Sequence, residues 1–196
     1  MTLRVVTPGL RTVVQDLGRP GLAHLGVSAS GALDPVLLRR ANALVGNSVG
    51  AAGLEVLLGG AVFEAQSAVA VSVIGGSDES THWVQTGQRF VVPDTLGLLV
   101  YVAIRGGVEV TPVLGSRSSD LLAGLGPPPL QAGDVVQIGA DAGPSERPPE
   151  VPSSASIRLL PPPRDYGDLY RQLLRTWVVG ADSNRTAVRL DGRLAE

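Results

Sequence analysis

The chain has 196 residues, of which 44% are hydrophobic but only 4% aromatic, and its formal net charge at pH 7 is -2. This length suits one large or two small domains with an aliphatic core. The chain contains no cysteine and all 16 of its basic residues are arginine, which excludes disulfide frameworks, thiolate nucleophiles, lysine-dependent P-loops, Schiff-base enzymes and biotin- or lipoyl-carrying domains. The lack of a basic surplus argues against nucleic-acid binding. No apolar run approaches the ~18 residues of a membrane span, so we expect a soluble, cytoplasmic protein that does not bind a membrane.

Short runs rich in valine, isoleucine and leucine alternate with glycine-containing turns along most of the chain. Such runs are typical of β-strands, and glycine pairs between them favour turns. We therefore predict a mainly β protein, a barrel or a sandwich. The predicted strands are Leu3–Val6, Thr12–Gln15, Ala68–Ile74, Arg89–Val92, Leu98–Ile104 and Val135–Ile138, and the predicted turns are Gly59–Gly60, Gly75–Gly76, Gly106–Gly107 and Gly133–Asp134.

Two helices interrupt this pattern. The first begins at Asp34, a residue type that caps helices, followed by Pro35 at the first helical position, and it ends at Gly46–Asn47. Its apolar residues fall on one face. The second predicted helix is an amphipathic stretch from Asp165 to Trp177.

The segment 143–156 is rich in proline and serine, a composition that favours extended and poorly packed chain. We interpret it as a linker between a β-rich lobe at 1–142 and the start of a second lobe at 157–196. The second lobe contains two further strand-like runs, Trp177–Val179 and Thr186–Leu190. Forty or so residues are few for an independent domain.

The first concentration of polar residues covers Gln15–Gly21 and Ser28–Asp34. Arginine is a planar, two-pronged donor for a carboxylate, and aspartate is an acceptor or base. Asp34 either caps the helix or takes part in chemistry. His24 is either a satisfied loop histidine or a catalyst.

The second concentration is Val113–Leu121, in which three serines, an arginine and an aspartate form either a cradle for an anion or amide, or a serine-rich turn capped by Asp120. The third is Gly180–Arg185, either a polar turn or part of a site. The loop Gly75–His82 contains one histidine near two acids, too few ligands at this spacing for a metal site.

Several of these segments, taken in order, resemble the family that comprises the C subunit of 5-oxoprolinase, allophanate hydrolase subunit 2 and biotin-dependent carboxyltransferases. The resemblance covers residues 3 to about 190 and combines many blocks. They are Val14–Gly21, Leu25–Val27, Ser30–Asp34, Arg40–Asn47, Leu54–Val56, Leu58–Gly60, Arg105–Gly107, Val113–Ser118 and Asp182–Arg185.

The resemblance implies cyclophilin-like β-barrel lobes with one or two short helices, and a partner: a protein like the homologous B subunit of 5-oxoprolinase or allophanate hydrolase subunit 1. It implies a subunit of an ATP-dependent complex that opens 5-oxo-L-proline to L-glutamate, with ATP used by the complex. One alternative is the carboxyltransferase component of a urea carboxylase system, with biotin carried on another protein. The other is a regulatory module that only binds its partner. In each catalytic case the substrate is a small amide.

The resemblance and the residue types together suggest site roles. We expect no metal and no cofactor bound by this chain. Relatives continue past the end of this sequence, so we expect a shortened member whose second lobe is incomplete. The expected catalytic residues are Asp34, Arg117 and Asp16, and the expected substrate-binding residues are Gln15, Arg19, Ser30, Ser116, Ser118 and Asn184.

Overall fold

A computed structural model describes residues 1–76, 78–141, 149–150, 177–180 and 189–191 of the chain. Its internal contacts divide the chain into two compact units, Met1–Val151 and Pro152–Glu196. The strands of the first unit are β1 Thr2–Thr7, β2 Arg11–Gln15, β3 Gly53–Leu57, β4 Val62–Ala65, β5 Val69–Gly75, β6 Asp78–Val84, β7 Arg89–Val91, β8 Leu99–Ile104, β9 Gly106–Val108 and β10 Val135–Asp141. Helix α1 spans Pro35–Leu44, and a single 3-10 turn spans Ala23–Leu25.

The ten strands of the first unit form two five-stranded sheets in which every pair is antiparallel. The first sheet has the order β7-β4-β1-β10-β9, and the second has the order β2-β3-β8-β5-β6. The mainly β prediction is confirmed, and so are the six predicted strands, whose ends differ from the observed bounds by at most three residues.

Side chains from both sheets form one continuous hydrophobic core. Leu3 and Phe63 come from the first sheet, and Leu54, Val71 and Val102 from the second, and all five are fully buried. Burial of such side chains from water is the main force that holds two sheets together.

Helix α1 covers the outer face of the second sheet. Its buried face, which includes Leu38 and Ala41, packs against Ile74 of β5 and Tyr101 of β8. The predicted start and end are both confirmed: Asp34 is the N-cap and Gly46, with φ 70°, follows the last turn in the left-handed conformation.

Two predictions were wrong, one about β6 of the second sheet and one about β9 of the first sheet. The segment predicted as a polar loop, Gly75–His82, is largely strand, since β6 pairs with β5 along its length. It lies at the sheet edge and exposes five of its seven residues, so it lacks the hydrophobic pattern of a buried strand. Gly106–Gly107, predicted as a turn, belongs to β9. A Cβ on Gly106 would lie 2.3 Å from the carbonyl oxygen of Gly139, so only glycine permits this close pairing with β10.

In the second unit, strands β11 Val178–Val179 and β12 Leu190–Asp191 pair antiparallel. They overlap the two strand-like runs predicted there. Apart from Trp177, the second predicted helix lies outside the described residues. So do Asn184 and the predicted linker, except for residues 149–150. None of the helices in the described ranges has the length and apolar character needed to cross a membrane.

Candidate functional site

Two of the three polar concentrations meet in the folded chain, although about 100 residues separate them in sequence. Backbone bonds join them where β2 ends: the Ser119 N–H donates to the Val14 carbonyl over 2.9 Å. Two residues after Val14, the Asp16 N–H donates to Ser118 Oγ over 3.0 Å. We call residues 15–19 and 116–120 the polar cluster.

The carboxylate of Asp16 is the centre of this cluster. Its Oδ1 accepts hydrogen bonds from the Gly18 N–H at 2.7 Å, Ser116 Oγ at 2.6 Å and Ser118 Oγ at 2.5 Å. Its Oδ2 accepts from the backbone N–H of Arg117 at 2.6 Å. With 9% of the residue exposed, Asp16 organises both segments instead of facing solvent.

Burial acts to raise the pKa of Asp16, because a charged carboxylate loses hydration inside a protein. The hydrogen bonds from Ser116, Ser118 and two backbone N–H groups stabilise the charged form and outweigh burial, so the pKa lies below the usual 3.8. Asp16 is therefore ionised at neutral pH, and its acceptor positions are occupied.

The side chains of Gln15 and Arg19 donate hydrogen bonds to backbone carbonyl oxygens of the segment 113–119. Gln15 Nε2 donates to the Ser119 carbonyl at 3.1 Å, and Arg19 Nη2 donates to the Ser118 carbonyl at 2.6 Å. Arg19 Nε also donates to the Val113 carbonyl at 3.3 Å. Gln15 is 0% and Arg19 2% exposed.

Each of these two side chains keeps one atom unused. In the described part of the chain, Gln15 Oε1 and Arg19 Nη1 are buried and have no hydrogen-bond partner. Arg19 also has no carboxylate partner there. A buried polar atom without a partner costs free energy, and a buried cation without a counter-charge costs more. One acceptor and one cationic donor are thus left available in the polar cluster.

Asp120 connects the polar cluster to the loop that precedes α1. Its Oδ2 accepts from Ser28 Oγ at 2.5 Å and from Ser30 Oγ at 2.8 Å, while its Oδ1 accepts from the N–H groups of Leu122 and Ala123. The hydrogen bond from Ser28, followed by those from Ala123 and Ser30, holds the pKa of Asp120 well below its usual range. Asp120 thus caps the turn that follows the serine segment, at Leu122 and Ala123, and the same carboxylate fixes Ser30.

Glycines allow residues 17–19 and 29–31 to cross at close range. A Cβ on Gly18 would lie 2.3 Å from the Ala29 carbonyl oxygen, and one on Gly31 would lie 2.8 Å from the Leu17 carbonyl carbon. Both glycines have positive φ, 82° and 84°. Larger residues at either position would separate the loop from the polar cluster.

The side chains of Asp34 and Arg117 form their hydrogen bonds outside the polar cluster, unlike those of the other predicted site residues that the structure describes. Asp34 Oδ1 accepts from the N–H groups of Val36 and Leu37, so the capping interpretation is confirmed. The side chain of Arg117 donates to the Val110 carbonyl and pairs with Glu109 at 3.1 Å. Its backbone N–H, not its guanidinium, contacts Asp16. Among the arginines that the structure describes, Arg19 is the one that retains a buried nitrogen without a hydrogen-bond partner.

Tyr101 and Glu55 form a buried pair that the sequence did not indicate, and both accept hydrogen bonds from backbone N–H groups just before α1. Tyr101 Oη donates to Glu55 Oε2 at 2.9 Å and accepts from the Asp34 N–H at 2.7 Å, and Glu55 Oε2 also accepts from the Leu33 N–H. Burial and the neighbouring Glu55 charge raise the pKa of Tyr101. The sequence signal that could have indicated this pair is Glu55, an acidic residue between the apolar residues Leu54 and Val56 of β3.

His24 and His82, the two histidines, are exposed and lie outside the polar cluster. His24 Nδ1 lies 3.1 Å from the Gly21 carbonyl oxygen, the geometry of a satisfied loop histidine. Within the described residues, no three histidine, aspartate or glutamate side chains come together as a metal site would require.

Comparison with known proteins relates this chain to one family. Residues 25–196 match the family model described as carboxyltransferase domain, subdomain A and B. The chain is 33% identical over 215 aligned residues to the C subunit of 5-oxoprolinase from Escherichia coli, covering 98% of this chain and 69% of that relative.

Solved structures are also similar to this chain. The structure of TTHA0988 is 35% identical with a TM-score of 0.81, covering 98% of this chain and 78% of that one. The urea amidolyase of K. lactis is 28% identical with a TM-score of 0.79, and the match covers 98% of this chain but only 14% of that much longer protein.

Proposed function

This chain belongs to the carboxyltransferase-domain family, and we propose that it is a subunit of a 5-oxoprolinase-type complex that binds 5-oxo-L-proline for conversion to L-glutamate. The proposal draws on the similarity to the E. coli protein. In the reaction, the ring C–N bond breaks, the oxygen of water joins the new carboxylate and a proton goes to the amine. ATP, used by the assembled complex, would supply the free energy for opening the ring.

The observation that carries the proposal is the unused pair of atoms on Gln15 and Arg19. A cyclic amide that bears a carboxylate has one N–H donor and several anionic or carbonyl acceptors. In the proposed complex, Gln15 Oε1 accepts from the ring N–H and Arg19 Nη1 donates to a carbonyl or carboxylate oxygen. In a buried site each of these hydrogen bonds is stronger than in water.

The remaining cluster residues act as positioning residues in this proposal. Asp16 fixes both serines and the chain of the second segment, and the Ser118 and Ser119 carbonyls aim the guanidinium and the amide. Because both side chains are buried, substrate entry requires the surrounding loops to open. This requirement agrees with a protein that acts only when its partner is bound.

The experiment reconstitutes the chain with the homologous partner protein from the same genome and measures glutamate formed from 5-oxo-L-proline and ATP. Arg19→Gln and Gln15→Met should each lower kcat/KM at least ten-fold, about 1.4 kcal/mol of transition-state stabilisation. Arg39→Gln, at an exposed position on α1, is the matched control and should retain activity. Circular dichroism and gel filtration check that each variant folds and assembles.

A carboxyltransferase role is the second candidate, and the similarity to K. lactis urea amidolyase favours it. Urea is also a small planar amide, so the same two atoms would serve it. Carboxylation of urea that depends on a biotinylated carrier, with no glutamate formed from 5-oxo-L-proline, would support this second function. A stable complex without either product would instead favour a regulatory binding module.

A further inference from the structure

A cavity of ≈ 240 Å³ lies beside the edge of the second sheet, and none of its lining residues belongs to the polar cluster. Its walls come from Met1, residues 68–70, Trp83, residues 105–106 and residues 139–140. Three of these residues are alanine and two are glycine, so small side chains leave the space open. Pockets for drug-sized ligands occupy about 300–1,000 Å³, so this cavity suits a smaller molecule.

Trp83 supplies an aromatic wall. It lies on the edge strand β6 opposite Ala70 of β5, and 61% of its surface is exposed. An indole ring presents a large flat apolar face on which a planar group stacks favourably. The alanine across the strand pair leaves that face uncovered on one side of the cavity.

Arg105 supplies the charge. It is the one charged side chain among the described residues that line the cavity, and it forms no ion pair with any of the residues that the structure describes. Its Nη1 donates to the Val45 carbonyl at 2.8 Å. A Cβ on Gly46 would lie 2.6 Å from this nitrogen, so glycine there makes room for the guanidinium.

The bond to Val45 fixes the guanidinium and leaves its other edge, Nε and Nη2, without a described partner. These two N–H groups form the parallel fork that binds a carboxylate through both oxygens. The cavity thus combines a flat aromatic wall, an anion-binding fork and a volume for few atoms.

We propose that this cavity binds a small planar organic carboxylate, whose ring stacks on Trp83 and whose carboxylate pairs with Arg105. The site is separate from the amide site of the proposed function, and binding here does not require the partner protein. It would also give a role to Arg105, which belongs to a block of the family resemblance and takes no part in the polar cluster.

The test titrates the full chain with benzoate and follows tryptophan fluorescence and saturation-transfer NMR of the benzoate protons. We expect saturable binding, with binding of neutral benzamide and of non-planar cyclohexanecarboxylate each at least ten-fold weaker. Arg105→Gln should weaken benzoate binding at least ten-fold, and Arg105→Lys should restore part of it. Arg39→Gln is the matched control and should bind benzoate like the natural chain.

Two further variants separate this site from others. Ala68→Leu should fill the cavity and abolish binding without altering Arg105, and Trp83→Phe should remove the fluorescence response, since Trp177 is the only other tryptophan. Thermal unfolding confirms that each variant is folded. Binding that is unchanged by Arg105→Gln and Ala68→Leu, or that is lost in Arg19→Gln instead, would overturn the proposal. So would the absence of saturable binding.

Discussion

Replacing Asp16 with asparagine tests whether this carboxylate holds the two segments of the polar cluster together. Each carboxylate oxygen accepts one backbone N–H, Oδ1 from Gly18 and Oδ2 from Arg117. Serine hydroxyls can rotate to suit an amide, but backbone N–H groups cannot. In Asp16→Asn the side-chain NH2 must therefore face one of the two backbone donors, whichever way the amide is turned.

The expected loss of stability follows from this conflict. A hydrogen bond to a charged group contributes about 1.5–3 kcal/mol, and leaving a buried donor unsatisfied costs about 1–3 kcal/mol. We expect Asp16→Asn to lower the free energy of unfolding by about 2–4 kcal/mol, since one donor loses its acceptor and the remaining bonds lose their charge. Such a decrease is large beside the total stability of a typical domain.

Urea unfolding at pH 7, followed by circular dichroism, measures this difference. Asp94→Asn is the control, because Asp94 is exposed in a turn and surface substitutions of this kind usually change stability by about 0.5 kcal/mol or less. If Asp16→Asn shifts the unfolding free energy no more than Asp94→Asn does, with the same dependence on urea, the carboxylate does not organise the cluster as argued.

The dependence on pH gives the second arm of this experiment. The pKa of Asp16 is lower in the folded protein than its usual 3.8, because hydrogen bonds outweigh burial. The stabilisation from the ionised carboxylate is therefore complete above that usual value and is lost as the pH falls through the folded pKa. The stability difference between the natural chain and Asp16→Asn should shrink as the pH falls below 3.8. A difference that stays constant in acid would contradict the assignment.

Two further predictions concern other carboxylates. Asp34→Ala removes the cap of α1 and should lower the unfolding free energy by about 0.5–2 kcal/mol, whereas Asp34→Asn should stay close to the natural value; equal losses would argue against a capping role. Hydrogen bonds from Arg89 and Arg4 lower the pKa of Glu64 from 4.5 to about 2, so its stabilisation is present above pH 4.5 and is lost as pH falls to about 2. In Glu64→Gln, the decline of unfolding free energy across that window should be shallower than in the natural chain and in Asp94→Asn.

Local signals in the sequence were sufficient for the elements that bury an apolar face. The Asp-Pro start and Gly46 end of α1 act within one or two turns of the helix, so short-range chemistry specifies them. Buried strands such as β5 and β8 consist mainly of β-branched and other apolar residues. Their burial is a property of composition, which is why they were predicted without knowledge of their neighbours.

The edge strand and the glycine-rich strand required the tertiary structure. β6 is a strand because β5 offers it an unpaired edge, and its exposed residues do not record that partner. β9 is a strand because Gly106 lies against Gly139, a contact that isolated glycines, which otherwise favour turns, do not reveal. Backbone pairing over long sequence distances decides such strands.

The candidate site shows the same division. The sequence alone supplied its residue types, excluded lysine and cysteine chemistry and identified Gln15, Arg19 and the serine segment as polar concentrations. Only the tertiary structure decided that the Arg117 guanidinium pairs with Glu109. In the described residues Arg19 instead keeps one buried nitrogen without a hydrogen-bond partner. The physical reason is that the hydrogen-bond partners of these side chains come from a segment about 100 residues away in the sequence. No local pattern of residues encodes which segment that is.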